Sequence, residues 1–442
     1  MAWPPKAAAA PASLVAPEQR AEVAGGCVAA SRGVLAAALF ASPWAFGAVQ
    51  TWAWASVGVV VAAGVFLWAV GSVRQSAPRI AWSPLHSLAG LFLLWGMVQR
   101  AGGLTLNRLA TREAVFKFAT DFLFFFLAAQ LWHGAAAKTW RWFGFLATAL
   151  GFLVGLFAIL QFFSSQGLIY WTVKAEGWTF GPYVNHSHFA GLLEMLIPVS
   201  AGFLLSRPRN RPGRGLLMFS LAVTLASFLL SGSKGGMLSL LAGVSIALGM
   251  CWSGGGLGDL KKLGMRAPLG ILAGLLLFFW VDPGEISARL AAALDFTRAS
   301  DAGLMQREAV AMESLRLLKK HPWTGTGLGS FETAYAEVRS FPTDLVWDHA
   351  HNDYVEALVE TGLVGGVLIL VGVAFFFRLA FRDLARRAGN ETGIIQLGST
   401  VACCTLLVHS FFDFNLHIPA NAAWFAVCAA AGIAEAPRGD LD

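Results

Sequence analysis

Apolar runs of near-membrane length follow one another along almost the whole chain, and this repetition limits the fold more than any motif does. The 442 residues are 56% hydrophobic and only 13% charged, against ~25% charged in an ordinary soluble domain. A soluble fold of this size cannot hide so much apolar surface, so lipid must cover much of it. About twelve runs approach the ~20 residues that a bilayer core requires. They fall at 28–48, 51–71, 84–98, 116–132, 141–163, 187–205, 216–230, 235–252, 268–281, 354–377, 393–412 and 418–434. The expected fold is therefore all-α: a polytopic membrane protein with about twelve transmembrane helices and one large helical periplasmic loop. The expected divisions are a disordered cytoplasmic tail (1–26, rich in Ala and Pro), helices one to nine (27–281), the loop domain (282–353), helices ten to twelve (354–435) and a second cytoplasmic tail (436–442). No cleavable signal peptide is expected, because the first apolar run continues into the multi-span pattern.

Lysine and arginine set the orientation. The loops after even-numbered spans are basic, with Arg74 and Arg79, Lys138 and Arg141, then Arg207, Arg209, Arg211 and Arg214. Lys261, Lys262 and Arg266 follow, and four arginines lie in 378–392. Both termini are expected in the cytoplasm and residues 282–353 outside. The net charge of +6 is spread over these short loops, which argues against nucleic-acid binding. The loop at 99–115 breaks the pattern: expected outside, it carries Arg100, Arg108 and Arg112, and phosphate binding is one use for them. The five cysteines sit in or beside apolar segments without zinc-ligand spacing and read as buried small residues.

The long loop carries its own pattern. Residues 304–320 lack Gly and Pro and predict a helix, ended by His321 and Pro322. Gly325, Gly327 and Gly329 predict a tight turn, and a second helix follows with Phe331, Ala334, Tyr335 and Val338 on one face. At the end of the loop stand Asp348, His349, His351 and Asn352. Asn352 or Asp348 can cap a helix starting near 353, which puts His351 at the membrane surface beside a positive helix end that favours a neutral imidazole. Three readings stay open for His349 and His351: ordinary interfacial hydrogen bonding, a general base, or a zinc set completed by His186 and His188. Lys234, in a short turn between two spans, is costly unless paired or near water. With Arg307 it can hold a pyrophosphate. The stretch 181–188, with His186 and His188, can meet sugar hydroxyls or be a plain turn. Asp121, Glu194, Glu356 and Glu360 fall inside apolar runs and are functional candidates on that ground. His409, Asp413, Asn415 and His417 gather near the last external turn and can line the same cavity.

Taken in order, these residues resemble the O-antigen ligase and Wzy-type O-antigen polymerase superfamily, over about 180–375. The family pattern is a small-residue turn with a cation, a loop arginine, a Pro-x-x-Gly-x-Gly stretch ending in Phe, and His-Asn before a Glu-x-Gly-x-x-Gly helix. Here these are Ser233, Lys234 and Gly235; Arg307; Pro322 through Gly325 and Gly327 to Phe331; and His351 and Asn352 before Glu360, Gly362 and Gly365. The stretch 409–415 also looks like these proteins. The family commonly has arginine where Lys234 stands, and an aromatic where Ala311 stands.

The resemblance implies an inverting glycosyltransferase without cofactor or catalytic metal. It would move an oligo- or polysaccharide from undecaprenyl diphosphate to an acceptor hydroxyl on a lipid or glycan, lipid A-core among the candidates, at the outer face of a bacterial inner membrane. Lys234 and Arg307, with Arg108 or Arg112, would hold the diphosphate. His351 would take the acceptor's proton, assisted by His349 or Asp348. Asn352, His186 and His188 would contact substrate. Repeat-unit polymerisation and protein O-glycosylation share this chemistry. A lipid-linked glycan transporter or flippase is the alternative from another class.

Overall fold

The computed structural model describes residues 17–75, 80–175, 177–253, 301–340, 346–382 and 390–435. Helices dominate them: α1 (Pro17–Ala41), α2 (Thr51–Val73), α3 (Pro84–Ala101), α4 (Arg108–Trp132), α5 (Ala137–Ser164), α6 (His186–Leu205), α7 (Arg214–Leu230) and α8 (Lys234–Ser253). After a gap in the description come α9 (Asp301–Lys320), α10 (Phe331–Tyr335), α11 (Asp353–Ala380), α12 (Glu391–His409) and α13 (Pro419–Ile433).

Seven of the described helices are long and apolar enough to cross a membrane: Glu22–Trp44, Thr51–Val73, Arg108–Trp132, Ala137–Ser164, His186–Leu205, Asp353–Ala380 and Glu391–His409. Arg214–Leu230, Lys234–Ile246 and Pro419–Ile433 are apolar but shorter, and α3 is a further helix where a span was expected. The described residues are thus those of an all-helical multi-pass membrane protein, and the seven long spans and shorter apolar helices among them leave the count of twelve unconfirmed. The expected ninth span, 268–281, lies outside the described residues, as do most of the first tail and all of the last.

The centre of the bundle is α6 against α12, the two spans with the largest buried share. Their sequences explain the closeness. A Cβ on Gly398 would lie 2.4 Å from the Pro198 carbonyl oxygen, and one on Gly202 would lie 2.7 Å from that of Ile394. Small residues let helix backbones touch where lipid supplies no hydrophobic drive. Cys403, Cys404 and Cys428 are buried there as free thiols, the small-residue role their setting predicted.

The segment 301–340 forms the helices its sequence pattern suggests and packs against α11. Phe331, Ala334 and Tyr335 of α10 pack with Val310 and Leu317 of α9 and with Val359 of α11 in a second apolar cluster, and Val338 joins it. The glycine-rich stretch threads through a break in α11 at Gly362, whose φ is +64°. There Leu363 N–H donates to the Pro322 carbonyl (2.8 Å), Thr326 N–H to that of Val359 (3.0 Å) and Gly327 N–H to that of Glu360 (2.9 Å). A Cβ on Gly325 would sit 2.3 Å from the Glu360 carbonyl oxygen, and one on Gly362 would sit 2.4 Å from that of Trp323. Only glycine allows this crossing, and broken helix is tolerated at membrane depth when protein covers it. Gln99 of α3 completes the cover by donating to the carbonyls of Thr324 (2.7 Å) and Glu360 (2.8 Å).

Candidate functional site

Two helix N-termini meet at the start of the site. Asn185 caps α6 by accepting from Ser187 N–H (2.8 Å), and the Ser187 hydroxyl lies 3.2 Å from that of Ser233, one residue before α8. His186 stacks on Trp178 at 4.4 Å, with one ring nitrogen 2.9 Å from the Ser231 carbonyl oxygen. Lys234 opens α8, partly exposed, and Gly235 lies against His409, whose Nε2 would be 3.2 Å from a Cβ there. His409 in turn bonds the buried Glu194 through Nδ1 (3.1 Å). Arg307 of α9 and Asp413 both act electrostatically on His186. Two positive helix ends thus adjoin Lys234, and Arg307 acts on the histidine at one of them, an arrangement that favours an anion.

His351 stands at the start of α11. Asn352 caps the helix, accepting from Tyr354 N–H (3.1 Å) and Val355 N–H (3.0 Å). His351 itself has φ +51°, a left-handed conformation that a non-glycine residue keeps only when its surroundings impose it. The surroundings here are specific. Ala350 N–H donates to Glu356 (2.8 Å), Asp353 N–H to the Ser410 carbonyl (2.9 Å) and the Asn352 amide to the Phe411 carbonyl (3.1 Å). The turn holding His351 is therefore fastened to the segment following α12.

The partner of His351 comes from that segment. Its Nδ1 lies 3.2 Å from Asp413 Oδ1, which also accepts from Phe414 N–H (3.0 Å). His188 Nε2 lies 3.6 Å from the same oxygen, longer than a hydrogen bond. Burial pushes the Asp413 carboxyl up, but His188 and His351 together outweigh it and hold it well below the usual carboxylate range. Asp413 Oδ2 is buried without a hydrogen-bond partner among the described residues. Phe414 stacks on His349 at 4.1 Å and presents an edge relation to His188 at 4.5 Å and His351 at 5.0 Å.

A second group adjoins the first. His349 Nδ1 is 2.6 Å from Glu356 Oε1, and His417 Nε2 is 3.2 Å from the same oxygen. His417 Nδ1 is 2.8 Å from Asp353 Oδ1. Burial alone would lower the His417 imidazole, but Glu356, Asp353 and Glu360 outweigh it and raise it to about 10.

The structure thus brings His351, Asn352 and His188 to the segment around Asp413 and puts His186 and Lys234 at two adjoining helix starts, while Arg307 is linked to them through its electrostatic effect on His186. It treats other sequence candidates differently. His349 faces Glu356 and Asp348 is exposed, so Asp413 takes the place beside His351 that the sequence suggested for them. Arg108 and Arg112 are exposed on the first turns of α4, and Arg108 donates to the Arg100 carbonyl (3.4 Å). Neither has a described bond to the histidine cluster. Glu360 is spent on structure, accepting from Gly329 N–H (2.8 Å) and Phe331 N–H (2.9 Å). The zinc set of His186 and His188 with His349 and His351 does not form, because His186 turns to Ser231 and His188 to Asp413.

The fold and site define a multi-pass helical membrane protein with a polar, histidine-rich cluster at one end of its spans. Residues 218–370 match the family model described as O-antigen ligase. The match supports the resemblance to the O-antigen ligase and Wzy superfamily of glycosyltransferases, and spans Lys234, Arg307, the glycine crossing and His351. Asp413 and His417 lie beyond it. No curated protein matches the chain.

Proposed function

We propose that the protein transfers an oligo- or polysaccharide from undecaprenyl diphosphate to an acceptor hydroxyl at the periplasmic face of a bacterial inner membrane. The observation that carries this reading is the His351–Asp413 pair beside a basic, helix-N-terminal anion site. With Asp413 accepting from Nδ1–H, the His351 Nε2 lone pair is left for a proton. The acceptor oxygen attacks the anomeric carbon, its proton passes to His351, and the bond to the diphosphate oxygen breaks. That oxygen leaves with the bonding electrons, and Lys234 and Arg307 stabilise the charge it gains. A single displacement inverts the anomeric centre. No metal is needed at the reacting carbon.

An apolar groove of about 590 Å³ lies between α8, α11 and α12, floored by Leu358, Leu370 and Leu407. Tyr354 and Phe411 line it too, and Phe411 accepts from Asn352 beside His351. A prenyl tail in this groove would bring its diphosphate to the site.

Deletion of the gene and gel analysis of the glycans test the reading. Loss of a ligase leaves carrier-bound polymer, and loss of a polymerase leaves single repeats. Purified protein that moves lipid-linked glycan across liposomes without forming a glycosidic bond would overturn the reading in favour of a transporter.

A further inference from the structure

The cluster of His349, Glu356 and His417 has no role in the transfer chemistry, and its geometry suggests one. We propose that these three residues bind one transition-metal dication, with zinc the best match, and that the ion fastens the His351 turn to the segment carrying Asp413.

The donor atoms support this first. One ligand atom from each residue lies within 4.8 Å of the other two. His417 Nε2 and Glu356 Oε1 are 3.2 Å apart. Two ligands at bonds of ~2.0–2.1 Å in a tetrahedron are separated by roughly 3.3–3.4 Å. His349 Nδ1 and Glu356 Oε1 are closer, at 2.6 Å, so a metal replacing the proton between them would part them by about 0.7 Å. Two imidazoles and a carboxylate suit zinc, while magnesium and calcium prefer oxygen alone.

The supporting shell is the second observation. His417 Nδ1 faces Asp353 at 2.8 Å, which directs Nε2 to the ligand position, the carboxylate–histidine arrangement found behind many zinc ligands. Asp353 is itself fixed by the Ser410 hydroxyl (2.7 Å) and Leu416 N–H (3.3 Å). Ala350 N–H holds Glu356 Oε2, leaving Oε1 for the ion. Phe414 stacks on His349 and sets its ring plane.

Charge is the third. Asp353 and Glu356 are buried in the first turn of one helix, and their described ion pairs run to histidines. Two buried carboxylates whose charged partners are imidazoles offer a place for a cation. The His349 and His417 side chains are 24% and 30% exposed, which gives an ion a way in.

The ion would touch no reacting atom. It would tie residues 349–356 to residue 417, on either side of the His351–Asp413 contact. The inference rests on the coordination geometry and stands apart from the transfer reading, so its test reads metal and not product. The full chain, purified in detergent and stripped with chelator, is equilibrated with zinc chloride, freed of loose ion and measured by elemental analysis. We expect one zinc per chain in the wild type and loss of it in His417→Gln and His349→Ala, each checked by gel filtration. Cobalt in place of zinc should give the visible bands of a tetrahedral site in the wild type. Zinc at background in folded wild type, equal zinc in both variants, or cobalt bands that are absent or octahedral would overturn the proposal and leave a histidine–carboxylate network without metal.

Discussion

At the residue scale the account turns on one hydrogen bond, from His351 to Asp413. Asp413→Asn keeps the volume and removes the charge that fixes the imidazole tautomer. General-base assistance contributes roughly 10²–10⁴-fold, so we expect kcat to fall within that range while donor KM stays near the wild-type value. Steady-state kinetics on purified protein would check this. The Asp413 carboxyl is held below its ordinary range, so its charge and the stability it supplies persist above the unfolded carboxylate pKa of ~3.9 and decline only as pH falls through the lower folded value. Activity should therefore have no Asp413-dependent loss near neutral pH. Lys234→Ala and Arg307→Ala should each raise donor KM by about tenfold or more, the scale of one lost charge-assisted hydrogen bond. An unchanged donor KM in both would remove the diphosphate clamp.

At the element scale the crossing of the glycine stretch through α11 is the main structural device. Gly362→Ala puts a side chain on a residue at φ +64° and 2.4 Å from the Trp323 carbonyl. The strained backbone alone costs about 1–3 kcal/mol, so a lower melting temperature and faster proteolysis within 322–331 are expected. Glu360→Gln disturbs the carboxyl group that accepts from two backbone N–H groups, each bond worth about 0.5–1.5 kcal/mol, and should expose the same bonds to protease. In the segment 301–340, burial would raise Glu313, but hydrogen bonds from Ser340 and Tyr335 outweigh it and lower the carboxyl. Its stabilisation is then full above the unfolded value of ~4.3 and fades below it. Limited proteolysis across an acid series should show the loop opening only on the acid side, and Glu313→Gln should abolish that dependence.

These elements also show what could be read from the chain. The loop helix, its stop at His321, the apolar face of Phe331, Ala334, Tyr335 and Val338, and the Asn352 cap were all legible, because neighbours in sequence decide them. The glycines announced a tight turn but not its partner. Gln99 meets Thr324 from 225 positions away, and no local pattern encodes that. His351 and Asp413 are 62 apart. The sequence placed Asp413 near the same cavity but gave the assisting role to His349 and Asp348, the nearest in sequence. The arginines at 108 and 112 drew notice by their charge, yet charge does not say which way a side chain faces.

At the scale of the whole molecule the account joins an apolar groove, a basic anion site and a base on adjoining segments. Gly366→Trp, which fills the groove between α8, α11 and α12, should weaken binding of a long-chain donor more than that of a short-chain analogue. Equal effects on both would separate the groove from the prenyl tail. The most direct measurement is glycan transfer by purified His351→Ala protein from undecaprenyl diphosphate to an acceptor. The account predicts no product from a variant that elutes and melts like the wild type. Product formed at the wild-type rate by that folded variant would contradict it.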